Sequence, residues 1–352
     1  MNLTEQEDII EIISRIPYDL CSGQTFVIAG ASGFLGRYMV LTLMYLNQYI
    51  LQNKCEIIAL CRNENKAKSI FNSYIGEEHF HLLIQGVENE FPDMPKVDYI
   101  VHAASDAVTS KFELIPADIL NANVVGTVNL LNLANKHKVK KFLFFSSGAV
   151  YGRTPNGVLE LNEEDAFSLD FINVGNCYAE GKRAGEALCK AYWKQYGVKT
   201  VSVRISHTYG PGINLDDGRV FSDFVNKICK YENLVIKGDG NDVRPFCYIS
   251  DAIVAFFLIL FKGKDGEVYN MANSKETVTI RELAETLVYE AFPERNLKVE
   301  GKRLTQKVSN DKIKVNINKL MKMGWNPKVD IVEGFRRTVK SFEDSIETIR
   351  LI

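Results

Sequence analysis

The sequence predicts an α/β protein: a doubly wound parallel sheet with a smaller C-terminal lobe interleaved with it. Three observations carry this. Apolar strands (TFVIAG, CEIIALC, a weaker FHLLIQG, VDYIVHAA and KKFLFFSS) alternate with helical segments, the rhythm that builds a parallel sheet, and right-handed crossovers then wind it on both faces. The first strand runs into a glycine-rich turn, GASGFLG, and an apolar helix. After TVSVRISHTYGPG the rhythm loosens into Gly/Asp-rich loops at 210–219 and 237–245, and GEVYNMAN reads as a late strand rejoining the main sheet.

Taken in order, an amphipathic leader (residues 4–16, with IIEII) precedes the first strand. The expected division is a helical leader at 1–22, a dinucleotide-binding domain at 23–205, and a mainly substrate-binding lobe at 206–352 whose residues 265–275, approximately, return to the sheet. A chain of 352 residues with 46% hydrophobic and 24% charged residues has the composition of a folded globular protein and the length for a large α/β unit or two lobes. The net charge of −2 supplies no basic excess for nucleic acid. The longest apolar run, AIVAFFLILF at 252–261, falls far short of the roughly 20 residues that span a bilayer and reads as a buried helix. The acidic opening MNLTEQEDII does not resemble an export signal, and seven scattered cysteines without a C-x-x-C pair suit free thiols. A cytoplasmic protein without a metal site is expected.

Two constellations carry chemistry. In GASGFLG, Gly30, Gly33 and Gly36 sit between strand and helix, where missing side chains let backbone N–H groups and the helix dipole approach a pyrophosphate. The spacing is G-x-x-G-x-x-G, and a plain tight βα turn is the competing reading. In YAEGK, Tyr178 and Lys182 lie four residues apart on one helix face. A lysine beside a phenol favours phenolate, and a positively charged oxidised nicotinamide would lower the tyrosine pKa further, making a general base.

Glycine turn, then Ser147 ending the fifth strand in FFSSGAVYG, then Tyr-x-x-x-Lys about thirty residues on, resembles the extended short-chain dehydrogenase/reductase family, also described as NAD-dependent epimerases/dehydratases. The likeness extends to HAA at 102–104, NVVGTVNLL at 123–131, RPFCYISD at 244–251 and MGWNP at 323–327. It implies a Rossmann-type fold, an NAD(P) cofactor and a nucleotide-diphosphate sugar substrate. Within the family, CYAEGKRAGEALCKAYWKQYGV and DGRVFSDF look most like UDP-glucuronate decarboxylases.

The resemblance implies that Tyr178 takes the proton of the sugar 4-hydroxyl, Lys182 holds the nicotinamide ribose, and Ser147 hydrogen-bonds the same hydroxyl. It places the cofactor on Gly30, Ser32, Gly33, Phe34, Leu35, Gly36, Arg62, Ala103 and Ala104, and the nucleotide ribose and phosphates on His207, Arg219 and Arg244. Arginine forks suit a diphosphate. Similar 4,6-dehydratases carry Asp and Glu after the catalytic Ser/Thr, and similar decarboxylases keep the glutamate. Here Gly148 and Ala149 stand there, and neither moves a proton. A 4-epimerase or 4-keto reductase is therefore expected, with a lyase as the alternative if another carboxylate, such as Glu180 or Asp106, substitutes. A non-catalytic cofactor sensor is the third reading, opposed by the intact Ser147, Tyr178 and Lys182.

The second strand ends ALCRN, so Cys61 holds the position of the usual acid that binds the adenosine 2′-hydroxyl, and Arg62 follows. Gly86 also stands where an aspartate near the adenine is expected. These substitutions tilt the expectation slightly to NADP, with Arg62 pairing a 2′-phosphate. Relatives pair through the helices after strands four and five, here about 122–137 and 177–196, so a homodimer is expected from the resemblance.

Overall fold

The computed structural model describes residues 1–155, 157–301 and 313–350. Its principal strands are β1 (Thr25–Ala29), β2 (Glu56–Cys61), β3 (Phe80–Ile84), β4 (Tyr99–His102), β5 (Lys141–Ser147), β6 (Thr200–Ile205), β7 (His207–Tyr209), β8 (Val243–Tyr248), β9 (Glu267–Met271) and β10 (Thr277–Thr279). Seven of them form one sheet in the order β9-β6-β5-β4-β1-β2-β3, every neighbouring pair parallel. All five expected strands of the first half are present, and GEVYNMAN returns as the edge strand β9. Parallel strands buried on both faces need continuous apolar runs, and Phe142, Leu143 and Phe144 of β5 are wholly buried.

The order reverses at β1 and β4, which opens a crevice at their carboxyl ends. Gly30 follows β1 there with φ +80°, and a Cβ on it would lie 2.7 Å from the backbone of Ala103 and Ala104 after β4. Only glycine lets these two turns meet.

The main helices are α1 (Leu3–Ile13), α2 (Phe34–Tyr49), α3 (Glu64–Phe71), α4 (Pro116–Asn123), α5 (Val125–His137), α6 (Cys177–Tyr196), α7 (Val220–Cys229), α8 (Ile249–Lys262), α9 (Ile280–Thr286) and α10 (Ile331–Arg350). The apolar run at 252–261 lies inside α8, which is buried almost throughout. Among the described residues no helix is long and apolar enough to cross a membrane. The helical stretch expected at about 122–137 is two helices that meet at Val124.

The leader α1 starts with a capping box between Asn2 and Glu5 and buries Ile9 and Ile12 against α2, α8 and α10. Its Asp8 accepts hydrogen bonds from Tyr38 (3.2 Å) and Tyr248 (2.9 Å), and Arg337 lies 3.4 Å away. Burial nevertheless pushes the Asp8 carboxyl up to about 7. The leader is thus tied to the helix after the glycine turn, to the C-terminal lobe and to the last helix.

In that lobe β8 runs parallel to β7 and antiparallel to β10. Residues 243–245, expected within a Gly/Asp-rich loop, are already strand. Pro245 donates no ladder hydrogen bond and disguises the strand in the sequence.

Helix α6 sits on β5 through one close approach. A Cβ on Gly185 would lie 2.2 Å from Cζ of the buried Phe144 ring. Gly185→Ala forces the helix away from the strand and should cost about 1–3 kcal/mol, as overpacking does. Thermal denaturation checks this: an unchanged Tm would mean that the ring yields freely and does not seat the helix.

Candidate functional site

The glycine turn opens on the crevice between β1 and β4. Gly33 is the N-cap of α2 and supplies no side-chain cap, so the first-turn N–H groups of Phe34, Leu35 and Gly36 have no side-chain acceptor there. A Cβ on Gly36 would stand 2.5 Å from the Gly30 carbonyl oxygen, which keeps helix and turn close. An uncapped 16-residue helix beginning at a crevice offers the donors that a pyrophosphate requires. Ser32 lies in the same turn, close to the buried Cys61 thiol at the end of β2. Arg62, next in the chain, is exposed, and among the described residues no carboxylate pairs with it.

Ser147 ends β5 and caps the turn Gly148–Tyr151, its Oγ accepting from the Ala149 N–H at 3.2 Å. It lies near enough to the Tyr178 hydroxyl to favour its ionised form. Tyr178 and Lys182 lie on the first turns of α6. Phe112, from the segment after β4, stacks on the Tyr178 ring with centroids 5.1 Å apart and planes at 8°. Lys182 is 2% exposed, its Nζ 5.0 Å from the Phe144 ring centroid and 5.6 Å from that of Tyr178. Among the described residues no carboxylate forms an ion pair with it. The buried His102 ring, at the end of β4, packs edge-on against Phe144.

This setting reverses the simple electrostatic expectation. Burial drives the lysine down to about 7, with Cys189 and Glu186 opposing the change. Burial also raises Tyr178, while the neighbouring Ser147 hydroxyl and the Arg219 charge pull it back. Without cofactor both groups are therefore pushed toward their neutral forms. A buried cation with aromatic faces but no carboxylate fits a bound partner carrying hydroxyl acceptors, such as the ribose of a dinucleotide.

On the lobe side, β7 and the start of α7 bring His207, Arg219 and Phe221 together. The His207 ring lies 5.8 Å from Phe246 and 6.4 Å from Phe221. Burial, then the charges of Arg244 and Arg219, hold its pKa near 3, so it is neutral at physiological pH. Arg219 pairs with Asp217 and stacks 4.6 Å over Phe221. Arg244 pairs with Asp242 at 3.1 Å. The two carboxylates considered as substitutes are both engaged: Asp106 with Lys111 at 2.7 Å and Glu180 with Arg183 at 3.6 Å.

A cavity of about 620 Å³ is lined by Tyr178, Phe112, Ala149, Arg153, Asp170 and Asn176, among others. Phe112, Arg153, Asp170 and Asn176 escape sequence reasoning because they come from loops brought together only by folding. Asp170 is the carboxylate that shares this cavity with Tyr178, and its Oδ1 accepts from the Ile172 N–H at 3.1 Å.

The family model described as "NAD dependent epimerase/dehydratase family" matches residues 26–272. The chain belongs to that family. Its curated relatives include UDP-glucuronic acid decarboxylase 5 of Arabidopsis thaliana, 32% identical over 317 residues that make up 89% of this chain and 87% of the relative. UDP-glucuronic acid decarboxylase 1 of Xenopus tropicalis is 31% identical over 91% of this chain and 72% of its own length. Among solved structures, the UDP-glucose 4-epimerase of Thermotoga maritima with UDP-glucose superposes with TM-score 0.76 at 24% identity, covering 92% of this chain and 100% of that one. The dTDP-glucose 4,6-dehydratase of Bacillus anthracis in complex with NAD gives TM-score 0.72 at 21% identity, covering 92% and 98%. Both superpositions bear out the Rossmann-type fold, in a family whose cofactor is NAD.

For this epimerase/dehydratase family member, UV-difference titration of cofactor-free protein against Tyr178→Phe should place the Tyr178 midpoint above the ordinary value of about 10. Oxidised dinucleotide should lower it. A midpoint at or below the ordinary value in the free protein would mean that burial does not govern the tyrosine.

Proposed function

We propose that the protein is an NAD(P)-dependent nucleotide-sugar enzyme that oxidises or reduces C4 of the sugar through a 4-keto species, as a 4-epimerase or 4-keto reductase. The observation that carries this reading is the meeting of Ser147, Tyr178 and Lys182 beside a cavity whose wall at Ala149 is neutral. Bound cofactor would supply the hydride acceptor or donor. Tyr178 moves the proton of the 4-hydroxyl, Ser147 orients that hydroxyl, and Lys182 holds the nicotinamide ribose and favours the tyrosinate. Gly30, Ser32, Gly33, Phe34, Leu35, Gly36, Ala103 and Ala104 form the dinucleotide cradle. His207, Arg219 and Arg244 bind the nucleotide ribose and diphosphate.

In this reading residues 23–205 hold the cofactor and 206–352 mainly the substrate. Exposed Arg62, with no carboxylate partner among the described residues, beside buried Cys61 gives a slight lean to NADP. Seven free cysteines, six of them buried, suit a cytoplasmic protein. Leu120 and Val125, exposed at the junction of α4 and α5, support pairing into a homodimer through these helices and α6.

A second reading, lyase chemistry, is favoured by the decarboxylase relatives and by one carboxylate, Asp170, in the cavity. It ranks lower because Asp170 sits on a loop separated from the Ser147 turn, where similar lyases carry their acid.

The test is mass analysis of products from a panel of UDP-, CDP-, GDP- and dTDP-hexoses and 4-keto sugars, run with NAD(H) and with NADP(H). The expected products are an epimer of equal mass or an alcohol two hydrogens heavier than its keto substrate. Tyr178→Phe should slow that turnover by about a hundredfold or more, the usual loss of a general base, with little change in Tm. Loss of water from the product, or wild-type turnover by the variant, contradicts the proposal.

A further inference from the structure

We propose that Glu186 is a positioning residue for the Tyr178–Lys182 pair: clamped by β5 and β6, it fixes α6 over the sheet and keeps a negative charge one helical turn from the Lys182 ammonium. The inference rests on reading Tyr178 and Lys182 as the base and its partner, and it assigns to the site a residue lying outside the cavity that contains Tyr178.

Parallel pairing sets Ser146 of β5 beside Arg204 of β6. Side chains of paired residues share a face of the sheet, and this face is the one under α6. Ser146 Oγ donates to Glu186 Oε1 at 2.5 Å. Arg204 grips the same carboxylate with both prongs, Nε to Oε1 at 3.0 Å and Nη2 to Oε2 at 2.9 Å. A bidentate Arg–carboxylate pair fixes direction as well as distance. The Arg204 side chain is 10% exposed and that of Glu186 12%. Arg204 is itself braced, donating from Nη1 to the Glu163 carbonyl at 2.9 Å and lying 4.7 Å over the Tyr151 ring. Tyr151 in turn donates to Asn270 Oδ1 of β9 at 2.6 Å. Two strands thus hold one carboxylate on α6, and a third braces the arginine through Tyr151.

What the clamp positions follows from spacing. Ser147 is next to Ser146, so the strand end that presents Ser147 is the one tied to the helix. Glu186 is four residues beyond Lys182 and eight beyond Tyr178, on the same helical face. Its charge opposes the burial that drives the Lys182 ammonium toward the neutral form.

The groups facing this pair are His102 from β4, Ser146 from β5, Arg204 from β6, Tyr151 and Glu163 from the segment after β5, and Tyr178 and Cys189 on α6 itself. Lys190, Lys319, Glu164 and Glu267 face the neighbouring cavity of about 450 Å³. His102 is held near 3, while Tyr151, Tyr178 and Cys189 are all raised. Lys182 is the displaced group brought into the neutral range, at about 7.

The test is a double-mutant cycle on cofactor-free protein. Wild type, Glu186→Gln, Lys182→Met and the double variant are melted at about pH 6, where Lys182 carries its charge in the fold, and about pH 9, where it does not. A structural tie to Arg204 costs the same stability at both values, because arginine keeps its charge throughout. The proposal predicts an extra loss in Glu186→Gln at the lower pH that disappears at the higher pH and in the Lys182→Met background. In turnover, Glu186→Gln should reduce kcat about tenfold with KM little changed, and the alkaline limb of the pH–rate profile should move to lower pH. A cost independent of both pH and residue 182 overturns the proposal. Coupling in the cycle without any change in turnover upholds the Glu186–Lys182 link and counts instead against the reaction assigned to Tyr178 and Lys182.

Discussion

The seat of α6 on β5 is the contact on which the rest of the site depends. A phenylalanine ring under a glycine brings helix axis and strand closer than any larger residue allows. The same Phe144 ring lies 5.0 Å from the Lys182 ammonium. The element that sets the helix height therefore also receives its cation. Tyr178 sits one turn earlier, beside the serine that ends the strand. Interiors pack densely and transmit strain, so a change at this seat is felt at the tyrosine hydroxyl.

Around this seat the fold serves two ends. At the reversal between β1 and β4, a helix N-terminus without a side-chain cap and a close approach of two turns leave backbone donors of the kind a pyrophosphate requires. The leader helix and the last helix close the far side through Asp8, Tyr38, Tyr248 and Arg337, joining α2 to the C-terminal part of the chain. In that part of the chain Arg219 and Arg244 both act on His207, and Arg219 is also near enough to act on the ionisation of Tyr178. Glycine turn, tyrosine and Arg219 are thus linked through packed elements.

Much of this was legible in the sequence. The central strands are buried on both faces and so read as apolar runs, and the glycine turn and the Tyr178–Lys182 spacing depend only on local geometry. Glu186 has the same helical spacing from Lys182, but nothing local distinguishes it from a solvated glutamate until Arg204 arrives from β6. Phe112, Arg153 and Asp170 belong to loops whose meeting depends on the whole sheet. The ionisation of the cofactor-free pair was not legible for a related reason: proximity of charges follows from sequence spacing, whereas burial is a property of the fold, and without cofactor burial pushes both groups toward neutral forms.

On the proposed reading, the neutral Gly148 and Ala149 beside Ser147 separate C4 redox chemistry from elimination or decarboxylation, while the relatives at about 31–32% identity are decarboxylases. The most direct test is therefore the relatives' substrate. Purified wild-type protein is incubated with UDP-glucuronate and NAD while carbon dioxide and product mass are followed. The account predicts no carbon dioxide and, if this sugar is accepted, a product of unchanged mass. Robust release of carbon dioxide with formation of UDP-pentose would show that a carboxylate away from the strand end, such as Asp170, does the work, and would contradict the account.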